Sequence, residues 1–467
     1  KKVELAFRAT LAPLGHTTVF VQPLGKSKLP AGPCLCVDEK KNTIENKFLK
    51  VKINADGTAN VTHKKTGKTY RQCGKLVDGG DMGDVYDYSF PPVEKLVSST
   101  DSKAEITCVQ AGPLVAKFRV EYTMEIPEAL HKNRQERTKK NVTMPVVSFI
   151  ELAADSKSVE WTTSLTNTAK NHRVRVHFPT GGIKSESSFA GESFDVNEFT
   201  YLGELWGIDL PKRLTGLVVP GRDTIRITSY PFHGFCDYND GQTGAAALAR
   251  GIREYEVVKP SREIALTLLR SVGWMTHLDI LTRNGDVGWE IYTPTAQCFG
   301  THTFEYAFCP HEGDWFKGGV HTERDMYVEP VTVVQSGAHA GTLPKASSFV
   351  TIKPADKLTF SSIKRSEDGK SLVVRCFNPR KTKVTGTIEV NAKVKGAFKS
   401  NVAEDLTGDK LKKVGKGYQF TAGDREIVTL MFDLADDKSL SRKPAAGLAK
   451  SVKACKRAFA VKLPTLD

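Results

Sequence analysis

The stretch REIALTLLRSVGW, residues 262–274, decides the fold class of this chain. Its residues 264–269 (IALTLL) are apolar at almost every position, which is typical of a β-strand buried on both faces. Gly273 and the Asn284-Gly285 pair then predict a bulge and a turn. Polar and aromatic residues follow up to residue 315, a mixture that suits a sugar-binding surface because aromatic faces stack on C–H groups.

Similar short strands recur on both sides of this stretch. They include residues 116–126 (AKFRVEYTMEI), 158–167 (SVEWTTSLTN) and 173–179 (RVRVHFP), separated by Gly, Pro, Asn and Asp. Sustained helical periodicity is almost absent. The pattern predicts an all-β chain, with a large antiparallel sandwich over residues 45–345 and a second β unit over residues 346–434.

The two ends of the chain have weaker patterns. Residues 1–30 predict a hairpin and residues 31–44 a linker, whereas residues 435–467 form a basic tail without a strand pattern. Within that tail, residues 443–463 (KPAAGLAKSVKACKRAFAVKL) fit a short basic amphipathic helix or a loosely held tail.

The formal net charge is +14, and much of the excess lies in residues 131–140 (HKNRQERTKK), predicted to be an exposed insertion, and in the tail. Charge in loops and tails, without interleaved aromatics on a folded face, argues against nucleic-acid binding. No apolar run is long enough to predict a membrane span. Nine irregularly spaced cysteines predict reduced thiols of a cytoplasmic protein, and the sequons at Asn60 and Asn141 would matter only in a secretory compartment.

Residues 78–92 (DGGDMGDVYDYSFPP), here called the acidic loop, are the strongest candidate site. The glycines allow a tight backbone path, and acids and tyrosines bring hydroxyl-binding groups to one place. Two alternatives stay open at this point. Asp78, Asp81 and Asp84 could bind a cation, although the remaining oxygen ligands of a calcium loop are absent, or the acids could belong to a plain solvated turn.

Several of these blocks carry a resemblance to a known family. Residues 45–58 (ENKFLKVKINADGT), the acidic loop, residues 262–274 and residues 300–308 (GTHTFEYAF) resemble, in this order, the C-terminal β region of the zinc-dependent retaining α-mannosidases, glycoside hydrolase family 38. The resemblance implies a galactose mutarotase-like super-sandwich followed by a smaller β-sandwich, with residues 1–44 ending a small sandwich that begins upstream. It also implies that the nucleophile and the zinc ligands lie on an N-terminal α/β domain, so that none is expected in this chain.

The resemblance also implies substrate-binding residues. An aromatic residue just before the phenylalanine-proline step contacts the sugar in the family, and Asp87 and Tyr88 stand nearest that position. Arg283 could bind sugar hydroxyls or orient a carboxylate, with an ordinary strand-end ion pair as the alternative. His302 shares one strand face with Tyr306 and completes the predicted set.

The function expected from these observations is that of the C-terminal portion of an α-mannosidase that hydrolyses terminal α-mannosides. The expected partners are an α-mannoside and the catalytic half, with homo-oligomerisation left open and no cofactor bound by this chain. A stand-alone carbohydrate-binding protein is the alternative. A third possibility is an epimerase, but this enzyme would need a paired acid and base such as His302 and Glu305, and these two residues point to opposite strand faces. The expected compartment is the cytoplasm, with a lysosomal or vacuolar location as the alternative.

Overall fold

Two neighbouring strands show how the sequence pattern forms this structure. The alternation predicted for residues 116–126 lies in β11 (Val115–Pro127), which pairs in antiparallel register with β12 (Asn141–Ala153). In both strands every second side chain is buried over most of the length, because successive side chains point to opposite faces of a sheet.

The structure is a computed structural model that describes residues 4–21, 34–200, 229–259, 261–283, 287–337, 340–341, 343–435 and 456–462. The chain divides into two compact units. The large unit comprises Pro33–Gly191 and Asn197–Val331, and the small unit comprises Lys1–Gly32, Glu192–Val196 and Thr332–Asp467.

The described strands of the large unit form three sheets. A five-stranded meander contains β3 (Cys36–Asp38), β4 (Thr43–Glu45), β5 (Leu49–Ile53), β6 (Ala59–His63) and β7 (Lys68–Cys73). A six-stranded sheet has the order β17 (Tyr230–Pro231), β20 (Glu254–Val258), β21 (Glu263–Ser271), β14 (His172–Pro179), β8 (Lys75–Gly80) and β9 (Val97–Ser98). A nine-stranded sheet has the order β10 (Glu105–Ala111), β11, β12, β13 (Val159–Asn167), β22 (Gly300–Glu312), β19 (Thr243–Arg250), β18 (Phe235–Asn239), β15 (Ser187–Gly191) and β16 (Val196–Thr200). The described part of this unit also contains helix α1 (Val320–Val328) and the 3-10 turns Ser99–Asp101 and Pro294–Gln297.

The core of the large unit lies between the six-stranded and nine-stranded sheets. Phe178 of β14 stacks on Phe308 of β22, with ring centroids 5.3 Å apart, and meets Trp161 of β13 edge-on. Strand β21, predicted from residues 264–269, pairs with β14 on one side and β20 on the other. Its residues 264–269 are buried except for Thr267, which confirms the predicted strand. Each large apolar side chain buried here contributes about 1.5–3 kcal/mol.

The small unit contains a β-sandwich. One sheet has the order β24 (Val350–Lys353), β27 (Val384–Val390), β31 (Gly417–Ala422) and β30 (Lys412–Val414). The other has the order β25 (Thr359–Arg365), β26 (Ser371–Phe377), β32 (Ile427–Leu434), β28 (Val394–Ser400) and β29 (Leu406–Lys410). Ile388 and Phe420 from the first sheet and Val374 and Leu430 from the second belong to one buried apolar cluster.

The ends of the chain differ from the expectation. Strand β1 (Glu4–Thr10) pairs with β33 (Lys456–Lys462), and β2 (Gly15–Thr17) pairs with β23 (Ala346–Ser348). Residues 1–30 were expected to be strands whose partners are missing, whereas both described strands find partners within the chain. The prediction of a helix or a loosely held tail is wrong for residues 456–462, because the run KRAFAVK pairs with an equally long strand. The rest of the tail lies outside the described residues, as does the predicted Asn284-Gly285 turn.

The all-β prediction is confirmed by the described strands. A helix long and apolar enough to cross a membrane is not found in the part of the chain that the structure describes.

Candidate functional site

The acidic loop leaves β8 and turns back on itself twice. The backbone N–H of Met82 donates to Ser89 O at 2.7 Å, and that of Asp84 donates to Asp87 O at 3.0 Å. Gly83 lies inside this turn, where a Cβ atom would stand 2.0 Å from the Asp87 carbonyl oxygen. Glycine is therefore required at residue 83 for the close approach of the two backbone segments.

Asp78, the first acid of the loop, is completely buried between two basic side chains. His172 approaches its Oδ2 atom at 2.5 Å from the neighbouring strand β14, and Arg137 approaches its Oδ1 atom at 2.5 Å. The second ring nitrogen of His172 lies 2.9 Å from Asn167 Oδ1. Asp78 therefore anchors the start of the loop to the segment at residues 131–140 and to β14.

The segment at residues 131–140 is exposed over most of its length, as its charge predicted, but two of its arginines contact the acidic loop. The Arg137 side chain is only 1% exposed. Arg134 donates to the Met82 carbonyl oxygen of the acidic loop and pairs with Asp279 at 2.7 Å. The prediction does not hold for Arg137, because its charge is balanced by the buried Asp78, and Arg134 is half-buried with Asp279 as its ion-pair partner.

The middle of the loop is held by two more arginines. Arg270 Nε donates to Asp81 Oδ2 at 2.8 Å, and Arg270 Nη2 donates to the Asp84 carbonyl oxygen at 2.8 Å. Arg283 donates to both carboxylate oxygens of Asp84, from Nη2 to Oδ2 at 2.5 Å and from Nη1 to Oδ1 at 3.3 Å. Such two-point contacts fix the relative orientation of the two planar groups.

Asp84 is also bonded by the backbone. The N–H groups of Tyr86 and Asp87 donate to its Oδ1 atom at 3.0 and 2.9 Å, and the N–H of His277 donates to Oδ2 at 2.9 Å. Burial alone would raise the pKa of Asp84, but the bonds from Arg283 and from the backbone amides outweigh it and lower that pKa. Asp84 is therefore an ionised carboxylate with a structural role.

Asp87 and Tyr88 lie at the solvent side of this cluster. Asp87 pairs with Nη1 of Arg283, yet its side chain remains 45% exposed. The Arg173 guanidinium lies over the Tyr88 ring, 3.3 Å from its centroid. Burial raises the pKa of Tyr88 to about 12, so its hydroxyl is protonated at neutral pH. That hydroxyl has no hydrogen-bond partner among the residues that the structure describes.

Three of the four predicted site residues therefore lie together. The fourth, His302, lies elsewhere: its Nε2 atom contacts the Cys298 carbonyl oxygen at 2.8 Å, and its ring neighbours Phe304. The described contacts include no hydrogen bond or ion pair from His302 to Asp87, Tyr88 or Arg283. Glu305 pairs with Arg250 at 3.2 Å instead of with His302, which removes the acid–base pair that an epimerase would need.

Neither alternative interpretation of the loop acids agrees with these contacts. Asp78, Asp81 and Asp84 are buried and paired with basic side chains, so they are not solvated. Because basic side chains already contact these carboxylates, their oxygens are not available as ligands for a cation. Among the described residues, no group of three or more His, Cys, Asp or Glu side chains could hold a metal ion, so these donors do not fit a zinc site.

Comparison with known proteins identifies the family. The glycosyl hydrolases family 38 C-terminal domain matches residues 44–277, and the family 38 C-terminal beta sandwich domain matches residues 357–430. The chain belongs to glycosyl hydrolase family 38. The first match covers the whole acidic loop and β21, which confirms the resemblance carried by those blocks.

Individual relatives of this family 38 chain agree. A putative mannosylglycerate hydrolase from Halalkalibacterium halodurans is 26% identical over 437 residues, which are 90% of this chain and 45% of that protein. An alpha-mannosidase from Enterococcus faecalis V583 has a TM-score of 0.73 at 24% identity, over 88% of this chain and 44% of its own. A second family 38 structure from Enterococcus faecalis has a TM-score of 0.72 at 23% identity, over 88% of this chain and 46% of its own. The two structures show the shared fold, and this chain spans less than half the length of each relative.

Sequence reasoning missed the basic residues that hold the acidic loop, namely Arg137, His172, Arg173 and Arg270. One signal was available. The strand RVRVHFP alternates basic and apolar residues, so Arg173, Arg175 and His177 must share the face opposite the apolar core. Buried charges on one strand face require acidic partners, and Glu254, Glu256 and Glu263 from β20 and β21 supply them.

Proposed function

We propose that this chain is the C-terminal portion of an α-mannosidase that hydrolyses terminal α-mannosides, and that it supports the catalytic domain and supplies the rim of the sugar pocket. Membership of family 38 supports the glycosidase class. The names of two relatives, an alpha-mannosidase and a putative mannosylglycerate hydrolase, support a mannoside as substrate.

The observation that carries the proposal is the arrangement of Asp87, Tyr88 and Arg283. Asp87 offers a half-exposed carboxylate whose orientation is set by Arg283, and the Tyr88 hydroxyl is free to donate or accept. A carboxylate accepts hydrogen bonds from sugar hydroxyls, and a neutral phenol can serve as their donor or acceptor. The three groups together match the rim of a site for a polyhydroxylated ring.

These residues bind and orient hydroxyls and perform no bond cleavage. A retaining glycosidase needs a carboxylate nucleophile and a carboxylic acid about 5–5.5 Å apart. In this proposal both belong to the catalytic domain, together with the zinc that grips the hydroxyls of the sugar. The rim raises the rate only if its hydrogen bonds are stronger in the transition state than in the bound substrate.

An exposed apolar surface beside the rim supports contact with a catalytic domain. Trp289 is 83% exposed, and Val85, which adjoins Asp84, donates its N–H to the Trp274 carbonyl oxygen at 3.1 Å. Clustered apolar exposure of this kind marks interaction surfaces in proteins. The apolar surface consists of Val85, Tyr86, Leu278, Trp289, Ile291 and Tyr292.

The experiment joins the chain to a family 38 catalytic domain and measures hydrolysis of an aryl α-mannoside. Tyr88→Phe and Asp87→Asn should each lower kcat/KM by about 5- to 150-fold, which corresponds to the ~1–3 kcal/mol of one lost buried hydrogen bond. Glu128→Gln, which breaks the exposed ion pair with Lys140, is the matched control and should leave kcat/KM unchanged. Unchanged kinetics in both rim variants would refute the rim.

The isolated chain supplies a second test. It should show no turnover of the aryl α-mannoside, with or without added zinc. Zinc-dependent hydrolysis by the chain alone would contradict the assignment of the catalytic groups to another domain. Mannoside binding without any gain in turnover on joining a catalytic domain would favour the stand-alone carbohydrate-binding alternative.

We also propose a cytoplasmic location. The buried cysteines Cys73, Cys236, Cys309 and Cys376 are free thiols, which agrees with a reducing compartment. The side-chain amide of Asn60 donates to Asn54 at 3.0 Å, so a glycan on this sequon would break a contact within the large unit. N-linked glycan on Asn60 or Asn141 in the native protein would instead indicate a lysosomal or vacuolar route.

A further inference from the structure

A cavity of about 370 Å³ lies in the large unit, where the connection between β19 and β20 meets β21 and β22. We call it the β19–β20 pocket. Its volume lies within the range of about 300–1,000 Å³ that is usual for small-molecule sites. The residues used below are Arg250, Arg253, Glu254, Thr267, Thr303 and Phe304, all of which line it.

One wall of the pocket is held rigidly. Arg250 donates from Nε and Nη2 to the Tyr327 carbonyl oxygen at 2.8 and 2.6 Å, and from Nη1 to Glu305 at 3.2 Å. Its guanidinium also lies over the Tyr327 ring, 4.4 Å from the centroid. Arg250 thus shapes the pocket, while most of its hydrogen-bonding capacity is used by the protein.

Other lining residues have capacity left for a ligand. Glu254 accepts a hydrogen bond from Thr267 at 2.6 Å and a longer one from Arg173 at 3.5 Å, both at Oε1, and its side chain is 33% exposed. The exposed Arg253 has no hydrogen bond or ion pair from its guanidinium within the described ranges. A fixed carboxylate and an unengaged guanidinium therefore stand in consecutive positions of the same pocket.

The composition of the pocket selects the class of ligand. Arg250 is paired with Glu305, and the carboxylate of Glu254 lines the same pocket as Arg253, so an anion would meet a fixed negative charge there. Carboxylate, guanidinium and threonine groups form hydrogen bonds with hydroxyls, and Phe304 adds an aromatic ring to the lining residues. A neutral ligand with many hydroxyls and an apolar C–H face satisfies this combination.

We propose that the β19–β20 pocket is a second saccharide-binding site, which takes a neutral hexose unit independently of the Asp87 rim. Arg173 connects the two places, because it contacts Glu254 at the pocket and the Tyr88 ring at the rim. The pocket would therefore hold another part of a branched or extended glycan. This inference does not depend on the proposed hydrolysis, since it concerns binding by this chain alone.

The test titrates the 467-residue chain with methyl α-D-mannoside and α-1,2-mannobiose and follows binding by saturation-transfer NMR and calorimetry. Arg253→Met and Thr267→Val should each weaken binding at least tenfold, because one removes the guanidinium and the other a hydroxyl at nearly constant volume. Glu128→Gln, which breaks the exposed ion pair with Lys140, is the control and should leave this binding unchanged. Circular dichroism and thermal melting establish that each variant is folded, and the exposed Arg253 keeps the test valid if Thr267→Val is unstable.

Four outcomes would overturn the proposal. The first is the absence of saturable transfer from either saccharide, the second is binding that survives both pocket variants, and the third is binding that is lost in Asp87→Asn alone, which would assign it to the rim. Inorganic phosphate serves as a probe for an anion site. Phosphate binding that depends on Arg253, with no saccharide binding, would also overturn the proposal.

Discussion

Replacing Asp78 by asparagine tests whether buried charge holds the acidic loop. The Asp78 side chain is 0% exposed, and its partners Arg137 and His172 are 1% and 0% exposed. The substitution keeps the size of the side chain and removes its charge, so the Arg137 guanidinium is left buried without a counter-charge. Breaking one partner of a buried pair costs about 3–5 kcal/mol, and we expect the free energy of unfolding to fall by that amount.

A urea titration followed by tryptophan fluorescence measures this loss, with the slope of the transition compared between variants. The matched control is Glu128→Gln, which breaks the exposed Lys140–Glu128 pair near the same segment and should cost less than about 1 kcal/mol. A double variant, Asp78→Asn with Arg137→Met, should recover part of the loss because no unpaired cation remains. A loss below 1 kcal/mol for Asp78→Asn would refute the buried-charge account of the loop.

The remaining predictions concern acid stability, backbone space and association. Burial lowers the pKa of His177 to about 4. Hydrogen bonds from His177 and Lys75 to Glu263 outweigh the effect of burial and lower the pKa of Glu263 to about 2. Because both pKa values are lower in the folded state, the unfolded chain binds more protons than the folded chain below about pH 6.5. Stability should therefore fall by ~1–3 kcal/mol between pH 7 and pH 4, and urea midpoints that do not change with pH would contradict this. Gly83→Ala should cost ~1–3 kcal/mol, because its Cβ atom would stand 2.0 Å from a carbonyl oxygen, whereas Gly337→Ala, with nothing within 4 Å, should be neutral in thermal melting. Trp289→Ser should weaken co-purification with a catalytic domain without lowering the melting temperature of the chain. If the variant and the unchanged chain recover the same amount of catalytic domain, the apolar surface is not part of the interface.

The sequence predicted the all-β class because its signal is local. Alternation along β11 and the apolar run of β21 each specify a strand and its buried face without reference to any distant residue. The segment at residues 456–462 was missed because its pattern is short and its pairing partner lies at the other end of the chain. Strand pairing at that separation leaves no trace in the sequence that links one segment to the other.

The candidate site was predicted only in part, because some of its signals are local and others depend on distant residues. The acidic loop is recognisable from its own residues, the family resemblance pointed to Asp87 and Tyr88, and Arg283 was predicted from its place after the strand and the chemistry of its guanidinium. Which cation meets which acid depends on the sheet: β14 lies between β8 and β21, and this order brings the His172 and Arg270 side chains to successive acids of one loop.

The order of the sheet also explains why four acids at intervals of three residues do not behave alike. Asp78, Asp81 and Asp84 are buried, are paired with Arg137, Arg270 and Arg283, and fix the path of the backbone. Asp87 comes last, where the turn reaches solvent, and shares Arg283 with Asp84. Since Arg283 is already oriented by Asp84, Asp87 can exchange part of its ion pair for a ligand hydroxyl without releasing the loop. The buried acids thus supply the rigidity, and the half-exposed Asp87 is the acid that the proposed rim uses.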